Sequence, residues 1–376
     1  VTAAAAHGLA AVVTEPGGPY SLREVQFAPL AEDEALVEIH AAGICHTDLS
    51  ARDGMLGVPF PSVAGHEGGG VVLEVGSQVT GITVGDHVLI GQAYCGTCLW
   101  CRRGRMSYCD NFAATTPIGT RTDGSWLIRT EDEAFVAGGF LGQSSFASHA
   151  VVRGMNLIRV PSDIPLALLA PLACGVQTGA GTVLNDIAPE PGSTLAVFGV
   201  GAVGLSAVLA ARLAGCDRVV AVDVKPSRLE MALALGATDV VDAREGDSAE
   251  AVRDLTDGGA HYVVEAAGVA SVGAQAFRAT AKRGICVLTG IAPPEATISL
   301  DWSALVTGRT IRGAVLGSSN PAEFLPRMID WYRQGRFDYT QMITTYPLSD
   351  INVAAEALLT GAAVKPVLLP RPAAGS

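Results

Sequence analysis

The feature that most narrows the fold is a strand–turn–helix–strand run between residues 195 and 223. Leu195, Ala196, Val197 and Phe198 form a short uninterrupted apolar segment, as a strand covered on both faces requires. Gly199, Gly201 and Gly204 follow in G-x-G-x-x-G spacing, an apolar helical stretch runs on toward Leu213, and a second apolar strand ends at Asp223. A glycine triplet alone says little, but in this order it predicts a βαβ unit that binds a dinucleotide. The glycines let a pyrophosphate meet backbone N–H groups at the helix N-terminus, where the dipole favours an anion. Asp223 would accept hydrogen bonds from the ribose 2′-OH and repel a 2′-phosphate, which favours NAD over NADP. Lys225, two residues on, is a cation that a 2′-phosphate could use.

Further strands at 239–242, 262–265, 284–289 and 310–315 alternate with helical patterns, so the spacing predicts a parallel, doubly wound sheet of about six strands. The N-terminal third reads differently. Short strands at 11–14, 35–39, 70–76 and 87–90, punctuated by glycine and Asp turns, predict a curved, barrel-like β domain. Between them lies a long irregular segment, roughly 110–148, whose Trp126, Phe135, Phe140 and Phe146 either line a pocket or simply pack. A chain of 376 residues suits two such domains. The net charge of −12 argues against nucleic acid or an anionic membrane as partner. No apolar run has the length of a membrane span, and the Ala-rich start 1–6 lacks a basic n-region, so the expected location is the cytoplasm.

Cysteine placement carries the chemistry. Cys95, Cys98, Cys101 and Cys109 crowd into one short stretch, and neighbours this close suit tetrahedral thiolate coordination better than a disulfide framework. This predicts a structural zinc. Elsewhere Cys45 precedes His46, Thr47 and Asp48; His66 and Glu67 sit in a glycine run; and Cys174 closes a Pro–Leu–Ala segment. Two thiolates and one imidazole, with a fourth position left for water or substrate, are the ligand set of a catalytic zinc.

Taken together, these motifs resemble those of zinc-containing medium-chain alcohol dehydrogenases, over nearly the whole chain. The segments 140–146 and 174–179 look most like the aryl-alcohol (benzyl alcohol) and geraniol dehydrogenase branch. The resemblance implies an α/β architecture: a GroES-like β-barrel catalytic domain over residues 1–174 with a zinc lobe at 95–109, a Rossmann doubly wound parallel sheet over 175–317, and a return to the catalytic domain over 318–376. It also implies two zinc ions per chain, one held by Cys45, His66 and Cys174 and one by the four-cysteine lobe. Asp48 would orient the ligating imidazole, Glu67 would lie close to the metal, and Thr47 would begin a proton relay. His46 and Lys365 would face the NAD pyrophosphate, and Thr178 the nicotinamide; Thr47 and Lys365 also read as an ordinary local hydrogen-bonder and a solvated charge. Where many members end the relay at a His, this chain has Ser50.

The expected activity is therefore reversible oxidation of a small apolar alcohol, primary and aromatic or allylic, to its aldehyde by hydride transfer to NAD, in a homodimer or homotetramer. Two alternatives stand beside it: a thiol-dependent formaldehyde dehydrogenase of the same family, and a non-catalytic nucleotide-binding module that keeps zinc for stability alone.

Overall fold

Short strands that hand over to alternating strands and helices organise the chain in a computed structural model, which describes residues 6–116, 119–132, 134–293 and 295–370. Residues 1–5, most of the Ala-rich start read for targeting, lie outside that description. Two compact units emerge, Val1–Cys174 with Met342–Ser376, and Gly175–Gln341.

In the first unit, one sheet runs in the order Ser62–Val63, Ala6–Val13, Ser21–Phe27, Ile128–Thr130, Phe135–Val136. The other is built around Glu34–Gly43, which is buried along nearly all its length because it has strands on both sides. It pairs antiparallel with Glu67–Val75, His149–Arg153 and Lys365–Leu369. Two register shifts interrupt the pairing with Glu67–Val75, and such bulges bend a sheet toward closure. Gly70 sits at the bend, where a Cβ would lie 2.1 Å from the Glu38 carbonyl oxygen, so no larger residue fits. Phe27, Ile39, Ile44, Ile90 and Phe146 fill the interior, with Tyr20 edge-on to Phe146. Each such side chain contributes about 1.5–3 kcal/mol of burial.

The second unit holds a six-stranded parallel sheet in the order Asp239–Asp242, Arg218–Asp223, Thr194–Phe198, Ala260–Glu265, Thr280–Leu288, Thr310–Gly313. Chain order thus reverses beside Thr194–Phe198, the crevice where doubly wound sheets bind dinucleotides. Helix Ala202–Leu213 covers that strand with small and branched residues, Leu205, Ala207, Val208 and Ala211 all being buried.

The sequence places the return to the first domain at 318. In the structure the chain stays with the second unit through Gln341. Helix Pro321–Arg333 explains the difference: Asn320 caps it, Pro321 opens it, and Phe324, Leu325, Met328 and Ile329 give it a buried apolar face. Among the described residues no single helix is long and apolar enough to cross a membrane.

Candidate metal centre and cofactor turn

Four donor side chains of the first unit converge: one ligand atom each from Cys45, His66, Glu67 and Cys174 lies within 4.8 Å of the others. They arrive from three segments, with His66 and Glu67 adjacent in one of them. Cys45 is the N-cap of helix His46–Arg52. His66 directly precedes strand Glu67–Val75, and Cys174 follows the buried turn Ala170–Ala173.

Asp48 holds two of these segments in register. Its fully buried carboxylate accepts the Cys45 N–H at 2.9 Å through one oxygen, and through the other the Gly65 N–H at 3.0 Å and His66 Nδ1 at 2.7 Å. The imidazole is thereby turned so that Nε2 faces Cys174 Sγ at 3.3 Å. Burial disfavours a charged imidazole, but the charge and hydrogen bond of Asp48 outweigh it and hold His66 well above its ordinary range. The hydrogen bond from Cys174 holds the Cys45 thiol well below its usual range against burial, with help from His66 and Lys365. Donating that bond, together with burial, pushes Cys174 up.

Glu67 is completely buried, and burial raises its carboxyl against the pull of Lys365. Lys365 Nζ lies 2.8 and 3.0 Å from the two Glu67 oxygens and donates to the Ile44 carbonyl at 3.2 Å. The register of strand Lys365–Leu369, with Val367 opposite Gly43, brings it there. The solvated-charge reading of Lys365 is excluded, since the residue is 2 % exposed. His46 by contrast is exposed at the start of its helix, and the Thr47 hydroxyl lies 3.7 Å from Cys45 Sγ.

The second cluster is local. Cys95, Cys98, Cys101 and Cys109 bring their sulfurs within the same 4.8 Å, with Cys95 and Cys101 3.9 Å apart. A tetrahedral ion with Zn–S near 2.3 Å sets sulfurs about 3.8 Å apart, so both donor sets fit zinc in spacing and chemistry. All eight cysteines are free thiols. Backbone N–H groups of Thr97 and Cys98 and the Asn111 amide point at Cys95 Sγ. Led by the Thr97 N–H, these donors bring that thiol down to about 5, whereas burial pushes Cys101 up to about 12.

In the second unit Gly199 opens the turn at φ +85°, and a Cβ there would strike the Ala267 nitrogen at 2.7 Å. Gly201 caps helix Ala202–Leu213, and Gly204 lies in its first turn. Asp223, ending its strand, accepts the Val200 N–H at 2.8 Å and the Lys225 N–H at 2.9 Å. Thr178 is buried on helix Gly175–Gly181.

Sequence reasoning missed two residues. Arg228 Nη1 lies 3.3 Å from where a Gly201 Cβ would sit, and its Nε is buried without a hydrogen-bond partner among the described residues. A cation just inside the helix after Asp223 was the available signal. Gln143, inside the segment 140–146, was quoted only for its family likeness, yet it touches the backbone around His66. The aromatics of the irregular segment divide: Phe146 is core, Phe135 is 43 % exposed, and Phe140 stands edge-on to His66 with ring centroids 5.9 Å apart. Phe140 also lines an apolar cavity of about 310 Å³ with Leu56, Val58, Phe112 and Leu141.

Residues 31–162 match the alcohol dehydrogenase GroES-like domain and residues 202–334 the zinc-binding dehydrogenase family. A geraniol dehydrogenase of Castellaniella defragrans is 40 % identical over 363 residues, 96 % of this chain and 97 % of that one. An alcohol dehydrogenase zinc-binding domain protein from Burkholderia ambifaria superposes with a TM-score of 0.95 at 42 % identity, covering 98 % of this chain and 100 % of that one. The benzyl alcohol dehydrogenase of Acinetobacter calcoaceticus superposes with a TM-score of 0.93 at 37 % identity, covering 97 % and 99 %.

Proposed function

The chain belongs to the zinc-binding alcohol dehydrogenase family with a GroES-like domain, and from that premise we propose that it reversibly oxidises primary aromatic or allylic alcohols to aldehydes with NAD. The observation that carries the substrate class is Phe140, which faces the ligand His66 and lines the 310 Å³ apolar cavity. A benzyl or prenyl group matches such a lining, and a short polar alcohol leaves it unfilled. The names borne by the geraniol and benzyl alcohol dehydrogenase relatives point the same way.

When bound, zinc supplies a Lewis acid that acidifies an alcohol and polarises an aldehyde carbonyl, and NAD supplies the hydride acceptor. The chain does the rest. Cys45, His66 and Cys174 hold the metal, Asp48 sets the imidazole, and Thr47 receives the alcohol proton beside Cys45. Ser50, on the same helix, leaves that proton to pass to solvent without an imidazole. The backbone after Gly199 and Gly201 takes the pyrophosphate, with Arg228 as its cation, while Thr178 faces the nicotinamide. We assign Lys365 to Glu67 as a counter-ion, because both oxygens of that buried carboxylate already bind it. Asp223 takes the ribose hydroxyl and selects NAD.

We also propose a cytoplasmic homo-oligomer: eight cysteines outside any disulfide fit a reducing compartment, Trp302 is 80 % exposed, and strand Thr310–Gly313 lies at an edge of the parallel sheet. Initial rates with benzyl alcohol, geraniol and ethanol, each with NAD and with NADP, test the reading. Benzyl alcohol or geraniol with NAD should dominate. Preference for NADP, or oxidation confined to formaldehyde in the presence of a small thiol, would overturn it.

A further inference from the structure

The loop that carries Phe140 also grips the segment that carries His66. Gln143 is 2 % exposed, and its amide is spent on main chain. Nε2 donates to the His66 carbonyl at 2.8 Å and to the Ile90 carbonyl at 3.1 Å, while Oε1 accepts the Gly68 N–H at 2.9 Å. Those contacts bracket Glu67 and tie its strand to the end of strand His87–Ile90. Beside it the Ser144 hydroxyl donates to the Val63 carbonyl at 2.7 Å and accepts the Phe140 N–H at 2.9 Å. The Ser145 and Phe146 N–H groups bind the Gly65 and Ala64 carbonyls. Residues 63–68 are thus fastened along one side by this loop.

The loop takes an uncommon conformation to do so. Leu141 (φ +50°) and Ser144 (φ +60°) both sit in the left-handed region, which side-chain-bearing residues occupy only when their surroundings impose it. Glutamine is the residue that fits, because two donors and one acceptor are needed on one planar group. A carboxylate would supply acceptors alone, and a thioether only a weak acceptor.

We propose that Gln143 is a positioning residue of the metal centre, fixing the backbone from which His66 and Glu67 project. Asp48 fixes the imidazole through its ring nitrogen; Gln143 fixes the same residue through its carbonyl. This rests on reading Cys45, His66 and Cys174 as metal ligands. Groups that orient a metal ligand commonly change metal affinity by about 10–100-fold when removed.

The test strips metal from the full chain with a chelator and titrates it with cobalt(II), whose d–d and thiolate bands report each site separately. Gln143→Met should lower cobalt affinity at the Cys45–His66–Cys174 site by roughly 10–100-fold and shift its bands, leaving the four-cysteine lobe unchanged. Ser145→Ala, in the same loop but with a buried hydroxyl that has no hydrogen-bond partner among the described residues, should alter neither site. Wild-type bands and affinity in Gln143→Met, or equal weakening of both sites, would overturn the proposal. If Gln143→Met does not fold, Gln143→Glu is read by the same criteria. A wild-type protein that takes up cobalt in the lobe alone would instead overturn the ligand reading beneath it.

Discussion

The four-cysteine lobe takes all its donors from residues 95–109, whereas Cys45, His66 and Cys174 come from three separated segments. In the lobe the geometry is local. Backbone N–H groups of Thr97, Cys98 and Cys101 aim at sulfurs a few residues away, so the turn itself stabilises the thiolates. In the other cluster no run of sequence is long enough to do this, and the work falls to side chains reaching across the fold. Asp48 spans from the Cys45 amide to the His66 ring, Lys365 balances Glu67, and Gln143 clamps the His66 carbonyl. The ligands differ in the same sense. Four thiolates fill a tetrahedron, and two thiolates with one imidazole leave a position free. On the proposed function, the centre that admits substrate is built from afar, and the one that holds a loop is built from its own backbone.

Changing one ligand in each cluster tests this division, and the largest effect belongs to the open one. Cys174→Ala should lower kcat/KM by at least about 10³-fold, since Lewis-acid polarisation is worth several kcal/mol and about 4 kcal/mol is 10³-fold. NAD binding, followed by nicotinamide fluorescence, should persist, and so should the lobe metal. Cys98→Ser should do the reverse. Loss of a few kcal/mol of metal-linked stability lowers Tm by roughly 10 °C in a domain of this size, read by calorimetry, while the metal at Cys45 and Cys174 is retained. Loss of both metals in either variant would break the comparison.

Smaller changes sharpen it. Asp48→Asn keeps the shape but weakens the grip on His66, and should reduce metal affinity at the open cluster by about 10–100-fold in chelator competition. Asn111→Ala removes one of several donors to Cys95 Sγ. Because the Thr97 and Cys98 N–H groups remain, lobe affinity should fall by less than about 10-fold. Should Asn111→Ala prove the costlier of the two, the lobe would not be held by its own backbone.

What the sequence revealed follows the same line between local and distant causes. The lobe and the glycine turn could be read because their determinants are contiguous: close-set thiols in one case, strand, turn and helix in the other. The two parallel and antiparallel regions were also legible, through uninterrupted apolar strands in one and short, turn-punctuated strands in the other. Cys45, His66 and Cys174 were read as a set from the chemistry of their donors and from family likeness, since nothing in their spacing brings them together. Lys365 shows the limit. Its partner is set by the register of strand Lys365–Leu369 against Glu34–Gly43, and register over such a separation is not written in either segment. Gln143 was hidden for a related reason, as its partners are backbone carbonyls and an N–H that every residue offers. Helix Pro321–Arg333 had a readable cap and apolar face, but not the side of the molecule that receives it.

Spectroscopy of the cobalt-substituted full chain during addition of benzyl alcohol tests the central claim most directly. The account predicts two ions per chain, about as many as the two donor sets can hold, with the alcohol shifting the bands of the two-thiolate, one-imidazole site and leaving the all-thiolate bands unmoved. A single ion per chain, or an alcohol that perturbs the all-thiolate bands or neither set, would contradict it.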